Sequence, residues 1–187
     1  MTTTTQKLVT TNTLLTTLIT SALLACLPAM SHAEGWELRS APEMVPGTRE
    51  IESGKIDVAI GKSEVHLPHV AQQKKVAVLT NLCIAYILKN DFDRADDYCD
   101  EAVERPNEKA VSYNNRGVLN ALRGDLEAAM QDFDKAAKSG CFGKCTVAES
   151  APRDLPRPVA RRNLGKAKYL ARQAQMDSEE KVAAQFN

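Results

Sequence analysis

Two consecutive stretches decide the fold: VAVLTNLCIAYILKNDFDRADDYCDEAVERPNEK at residues 76–109 and AVSYNNRGVLNALRGDLEAAMQDFDKAAKSGCFG at residues 110–143. The two stretches have the same length, 34 residues, and identical residues recur when one is laid over the other. A repeat of this period indicates a chain built from stacked supersecondary units. The identities include Asn81 with Asn115, Leu88 with Leu122, Asp91 with Asp125, Ala95 with Ala129 and Ala102 with Ala136.

Each unit divides into two amphipathic stretches with a turn between them. Asn90-Asp91 interrupts the apolar pattern of the first unit, and Gly124-Asp125 interrupts the second at the equivalent place. Apolar residues on either side follow helical spacing, which predicts a pair of helices in each unit. The first helix of the first unit shows the stripe most clearly, with Val76, Leu79, Leu82, Cys83, Tyr86 and Ile87. Small residues should let the paired helices approach closely, namely Cys83, Gly117, Ala95 and Ala129.

These motifs resemble the tetratricopeptide repeat (TPR) family, and the resemblance covers residues 76–143. It implies an all-α fold, a short TPR-like solenoid of antiparallel helix pairs. The second unit carries Tyr113-Asn114-Asn115-Arg116-Gly117, Gly124-Asp125-Leu126-Glu127-Ala128-Ala129, Phe133 and Ala136, and the first carries Cys83, Tyr86, Ala95 and Ala102.

The flanks match the same pattern in part. Residues 34–75 are interpreted as an N-terminal segment and a degenerate repeat, whose first helix Pro46 and Gly47 shorten to one or two turns. Residues 144–157 form a Pro-containing insertion. Residues 158–187 are interpreted as a capping helix and tail, with the helix placed at 161–175. Degenerate, full and capping units together suffice to bury a continuous core.

Residues 1–33 have the pattern of a secretory signal peptide. A weakly basic start and an apolar middle precede Ser31-His32-Ala33, a small-residue cleavage site. Cleavage there makes Glu34 the mature N-terminus and predicts export, most simply to the bacterial periplasm. An alternative is open, because Leu23-Leu24-Ala25-Cys26 resembles a lipobox. In that case the protein is an outer-membrane lipoprotein tethered through Cys26.

Charge and composition narrow the function class. The chain has 24 basic and 24 acidic residues, so it lacks the positive charge typical of nucleic-acid binding. We also expect no membrane span in the mature chain. Gly61-Lys62-Ser63 lacks the upstream glycine of a phosphate loop, since Ile56 stands there. We therefore expect no enzyme, no cofactor and no metal; the weak metal candidate is His66 and His69 with Cys141 and Cys145.

Four cysteines remain after the predicted cleavage: Cys83, Cys99, Cys141 and Cys145. An even number in an exported protein suggests disulfides, and four cysteines allow three connectivities. In the family that the chain resembles, the places of Cys83 and Cys99 face each other across the helix pair. This favours Cys83–Cys99, and the short flexible stretch between Cys141 and Cys145 favours a second bridge, Cys141–Cys145. Free thiols packed as small hydrophobic groups at the first two positions are the alternative.

The resemblance also implies where a ligand binds, since first helices line the concave face in this family. Asn81, Asn115 and Asn163 hold the same place in three successive first helices, and an amide both donates and accepts hydrogen bonds. Such a ladder can pair with any extended peptide backbone; alternatively, Asn is simply common there in TPR units. The predicted function is a non-enzymatic scaffold or adaptor for a protein or extended peptide. The remaining candidate groove residues are Ile84, Val118, Arg162 and Lys166.

Overall fold

A computed structural model describes residues 35–106, 109–139 and 156–185, and these form seven helices. The fold is all-α, as the periodicity predicts. In chain order the helices are α1 (Thr48–Glu52), α2 (Ile56–His66), α3 (Gln72–Leu88), α4 (Phe92–Glu104), α5 (Lys109–Leu122), α6 (Leu126–Lys138) and α7 (Pro156–Gln185).

The turns inside the two repeats are built in the same way. Asn90, with φ of 57°, and Gly124, with φ of 87°, take the left-handed conformation that ends the first helix of each pair. Asp91 and Asp125 then cap the second helices, since their carboxylates accept the backbone N–H of the residue three positions on. Each turn therefore reverses the chain and starts the next helix within a few residues.

The helices pack as successive pairs, α1 with α2, α3 with α4 and α5 with α6, and α7 closes the array. The first helices of the pairs also contact one another, α1 with α3, α3 with α5 and α5 with α7. Within the described residues α2, α4 and α6 make no such contacts among themselves. The first helices thus form one continuous layer that runs from one repeat to the next.

The inside of each helix pair depends on a close approach. A Cβ atom on Gly117 of α5 would lie 2.7 Å from Cε1 of Phe133 on α6, so any larger residue would force the ring or the helices to shift. One repeat earlier the equivalent positions are Cys83 and Cys99, which form a disulfide between α3 and α4 with S–S 2.08 Å. At equivalent positions, the first repeat thus has a disulfide between its two helices, and the second has a phenylalanine ring packed against glycine.

One end of the array has the length predicted from the sequence and the other does not. Helix α1 is only five residues long, in agreement with a shortened first helix. Helix α7 has 30 residues, longer than the 161–175 helix expected, because no Gly or Pro follows Gly165 to stop it. No helix in the described ranges is both long enough and apolar enough to cross a membrane. The 144–157 insertion lies almost wholly outside the described residues.

Candidate functional site

An irregular stretch before α1 lies across the layer of first helices. We call residues 36–40 the groove segment, and the face of α5 and α7 on which it lies the α5–α7 surface. Glu37 and Arg39 both turn their backbone N–H and C=O groups toward asparagine side chains on that surface. Groups two residues apart that face the same way identify an extended chain.

Three asparagines bind this backbone. Asn115 of α5 accepts the N–H of Arg39 at 3.0 Å and donates to its C=O at 2.8 Å. Asn163 of α7 makes the same two contacts with Glu37: it accepts the backbone N–H at 3.1 Å and donates to the C=O at 3.0 Å. Asn114 donates to the Glu37 C=O at 2.9 Å and accepts from Asn163 at 3.0 Å. The amides therefore form a connected ladder, and the groups that they bind are present in any peptide.

Side chains of α7 bind the acidic side chain of the segment. Arg162 contacts both carboxylate oxygens of Glu37, Nε to Oε1 at 2.6 Å and Nη2 to Oε2 at 2.6 Å. These hydrogen bonds with Arg162, aided by its charge, hold the pKa of the Glu37 carboxyl below its ordinary value of 4.5. The same hydrogen bonds raise the pKa of Arg162. A bidentate pair of this kind recognises a carboxylate with defined orientation.

The alternate residues of the segment point toward the helices. The ring of Trp36 stacks on that of Phe133, with centroids 5.8 Å apart, and Lys166 Nζ lies 4.3 Å from the centroid of the indole. Leu38 packs against two buried apolar clusters, one around α3 and α4 and one around α5, α6 and α7. Trp36 and Leu38 on one side and Glu37 on the other follow the period of two of an extended chain.

Of the residues proposed for the groove from the sequence, Asn115, Asn163, Arg162 and Lys166 meet at this surface. Asn81 lies elsewhere: it is fully buried and donates to the hydroxyl of Thr48 in α1 at 2.8 Å.

Ile84 and Val118, two further candidate groove residues, are both buried while the groove segment is in place. The reason is packing around the first helices. Helix α3 is enclosed by α2, α4 and α5, and the groove segment covers the cluster that contains Val118.

Further polar clusters among the described residues surround Tyr86 and Arg116. Burial, and a hydrogen bond to Glu64, raise the pKa of Tyr86 to about 12, so its hydroxyl is a poor proton donor at neutral pH. Arg116 holds the buried carboxylate of Asp132 through two hydrogen bonds, at 2.7 and 2.9 Å. No group of three or more potential metal ligands occurs in residues 35–106, 109–139 and 156–185.

Sequence reasoning missed the occupant of the groove. Residues 36–39 read Trp-Glu-Leu-Arg, an alternation of apolar and charged residues just before Pro42. Alternation of this kind is typical of a half-buried extended segment, and Trp36 is the single tryptophan of the chain. Those two signals could have located it. Cys141 and Cys145, the second predicted disulfide, lie outside the described residues.

Comparison with protein-family models, with curated proteins and with solved structures gives no match for this chain.

Proposed function

We propose that this protein is a non-enzymatic, exported scaffold or adaptor of the TPR type that binds a protein or extended peptide on its α5–α7 surface. One observation carries the proposal: Asn114, Asn115 and Asn163 hold an extended backbone through its N–H and C=O groups. Because those groups belong to every peptide, a surface that holds one extended chain has the chemistry to hold another.

The buried state of the three amides supports the same function. All three side chains are buried beneath the groove segment. A buried amide without partners is unfavourable by about 1–3 kcal/mol, so the ladder strongly favours an extended chain above it. Arg162 and Lys166, next to the ladder, add contacts to a carboxylate and to an aromatic ring.

Site-specific photo-crosslinking in the native compartment tests this function. Tyr169 is 61% exposed and follows Lys166 by one turn on α7, so a photoreactive residue there probes the edge of the surface. Val182 is 54% exposed near the far end of α7 and is the matched control position. We expect a protein adduct from position 169 alone, weakened by Arg162→Glu. Equal adducts at both positions would contradict the adaptor function, whereas indifference to Arg162→Glu would contradict only a role of Arg162 in binding.

A second candidate is a lipid-anchored structural component of the envelope, tethered through Cys26. The observation that favours it is that the groove segment already covers the α5–α7 surface. A surface covered by its own chain needs no other ligand. Measuring the mass of the mature N-terminus separates the two. A chain that starts at Glu34 supports the exported adaptor, and an acylated chain that starts at Cys26 supports the tethered component.

A further inference from the structure

We propose that the groove segment is an intramolecular placeholder, and that the α5–α7 surface binds, in its place, extended protein segments that present an aromatic residue, then a carboxylate, then an aliphatic residue. This inference rests on the proposed function and adds to it the chemistry of the ligand. The segment of the chain itself, Trp36-Glu37-Leu38, is the template for that chemistry.

Backbone contacts and side-chain contacts contribute differently to recognition. The amide ladder makes five hydrogen bonds with backbone groups, and these do not depend on the sequence of the ligand. Selectivity must therefore come from the places that hold Trp36, Glu37 and Leu38. These places are a ring face with a cation beside it, a guanidinium fork and an apolar cleft.

Each of these three places matches one chemical class. Cations lie favourably over indole and phenol rings, so the Lys166–Phe133 place selects aromatic side chains. The fork of Arg162 fits the two oxygens of a carboxylate and repels a cation. The apolar clusters beside Leu38 favour an aliphatic group of similar size. Together they specify three successive residues of an extended ligand.

The groove segment can leave without unwinding any helix. Residues 36–40 are only partly buried and belong to no helix, whereas the following Ala41 and Val45 are buried and anchor the chain. Release therefore breaks the ladder hydrogen bonds and the Arg162–Glu37 pair, and leaves the helix pairs intact. It also uncovers the three amides, which a new extended chain would satisfy again.

A tethered placeholder acts as a competitor of high local concentration. Short flexible tethers give effective concentrations in the millimolar range, so the resident segment outcompetes weak ligands. A site that is open in about 1% of molecules binds about 100-fold more weakly than its intrinsic affinity. Weakening the resident segment should therefore strengthen the binding of a peptide supplied from outside.

The test uses the full chain and the synthetic peptide GWELRSA, which is the sequence of residues 35–41. Trp36→Ala weakens the placeholder and also removes the single tryptophan of the chain, so the indole emission of the peptide reports its own binding. We expect Trp36→Ala to bind a dye-labelled GWELRSA at least about tenfold more tightly than the unsubstituted chain does. A melt and a circular dichroism spectrum confirm that the variant is folded. If it is not, Trp36→Phe with Glu37→Gln serves as the milder opened form.

A charge exchange is the matched control. In the opened chain, Arg162→Glu should lose GWELRSA and gain the peptide GWKLRSA, in which a lysine replaces the glutamate. Lys168→Glu makes the same charge change at an exposed position of α7 and should change the binding of neither peptide. A folded opened variant that binds neither peptide, or binds both equally, would overturn the inference. The crosslinking result at position 169 would stand independently, so failure of the ligand chemistry and failure of the adaptor function are distinguishable.

Discussion

Asn115 holds Arg39 by both backbone groups, accepting its N–H at 3.0 Å and donating to its C=O at 2.8 Å, across 76 residues of sequence. The contact has the form of one rung of a β-ladder, in which an amide side chain replaces the second strand. Asn115 is fully buried as a result. An asparagine proposed to bind a ligand thus also stabilises the folded chain.

Replacing Asn115 by alanine should lower stability. Alanine favours the helix, but Arg39 would lose both partners, and we expect a net loss of about 1–3 kcal/mol in the free energy of unfolding. Urea unfolding, monitored by circular dichroism, measures this loss of stability. Gln131→Ala, at an exposed position of α6, is the control and should change stability by less than about 0.5 kcal/mol. Equal effects of the two substitutions would contradict the ladder.

Arg162→Glu should release the groove segment by placing a carboxylate against Glu37. Trp36 then leaves the ring of Phe133 for water, and its fluorescence emission should shift to the red. The shift should be larger at low salt, because exposed charges are screened over about 10 Å at 0.1 M ionic strength. The chain has one tryptophan, so the signal has a single source. Lys168→Glu should leave the emission unchanged; a red shift there too would indicate a general charge effect.

Acid should weaken the same contact. Since the hydrogen bonds from Arg162 lower the pKa of Glu37 in the folded chain, the pair stabilises the fold above the ordinary pKa of 4.5. That contribution is lost as the pH falls below 4.5 toward the lowered value. Glu37→Gln should therefore be less stable than the unsubstituted chain at pH 7, and the difference should vanish at low pH. A difference that is constant with pH would contradict the ionic character of the pair.

The helix pairs and their order could be predicted from the sequence because they depend on local periodicity. The repeated Asp91 and Asp125 caps mark the same turn twice, and the facing places of Cys83 and Cys99 follow from the resemblance to a known repeat. These features are encoded within one repeat. Their prediction needs no knowledge of where distant parts of the chain lie.

The occupant of the groove could not be predicted in the same way. Its hydrogen bonds join residues up to 126 positions apart, and an asparagine ladder binds a backbone whether it belongs to the same chain or to another. The burial of Ile84 and Val118 could not be predicted for the same reason, because only the packed chain shows what covers them. The alternation at Trp36-Glu37-Leu38-Arg39 and the single tryptophan were the local signals.

Gly117→Ala should destabilise the second helix pair. The new Cβ atom would lie 2.7 and 2.8 Å from two ring carbons of Phe133, and the ring is fully buried and cannot easily move. We expect a net loss of about 1–3 kcal/mol, since overpacking exceeds the gain in helix propensity. Gly61→Ala is the control: it lies in α2 with no atom within 4 Å of the new Cβ, and it should stabilise by up to about 1 kcal/mol. Stabilisation by both substitutions would show that the helices can separate.

Removing the Cys83–Cys99 bond should destabilise the first helix pair. The bond closes a loop with a sequence separation of 16, for which loop closure gives roughly 3 kcal/mol. We expect Cys83→Ala with Cys99→Ala to lose about that much in urea unfolding. Cys141→Ala with Cys145→Ala should lose less, because a bridge there would close a much shorter loop.

Cys83 of α3 and Cys99 of α4 are both buried, so the folded chain should also resist alkylation at them until it is reduced in denaturant. Ready alkylation of Cys83 and Cys99 without reductant, or equal stability of all three chains, would show that the first pair is held by packing alone, as Gly117 and Phe133 hold the second.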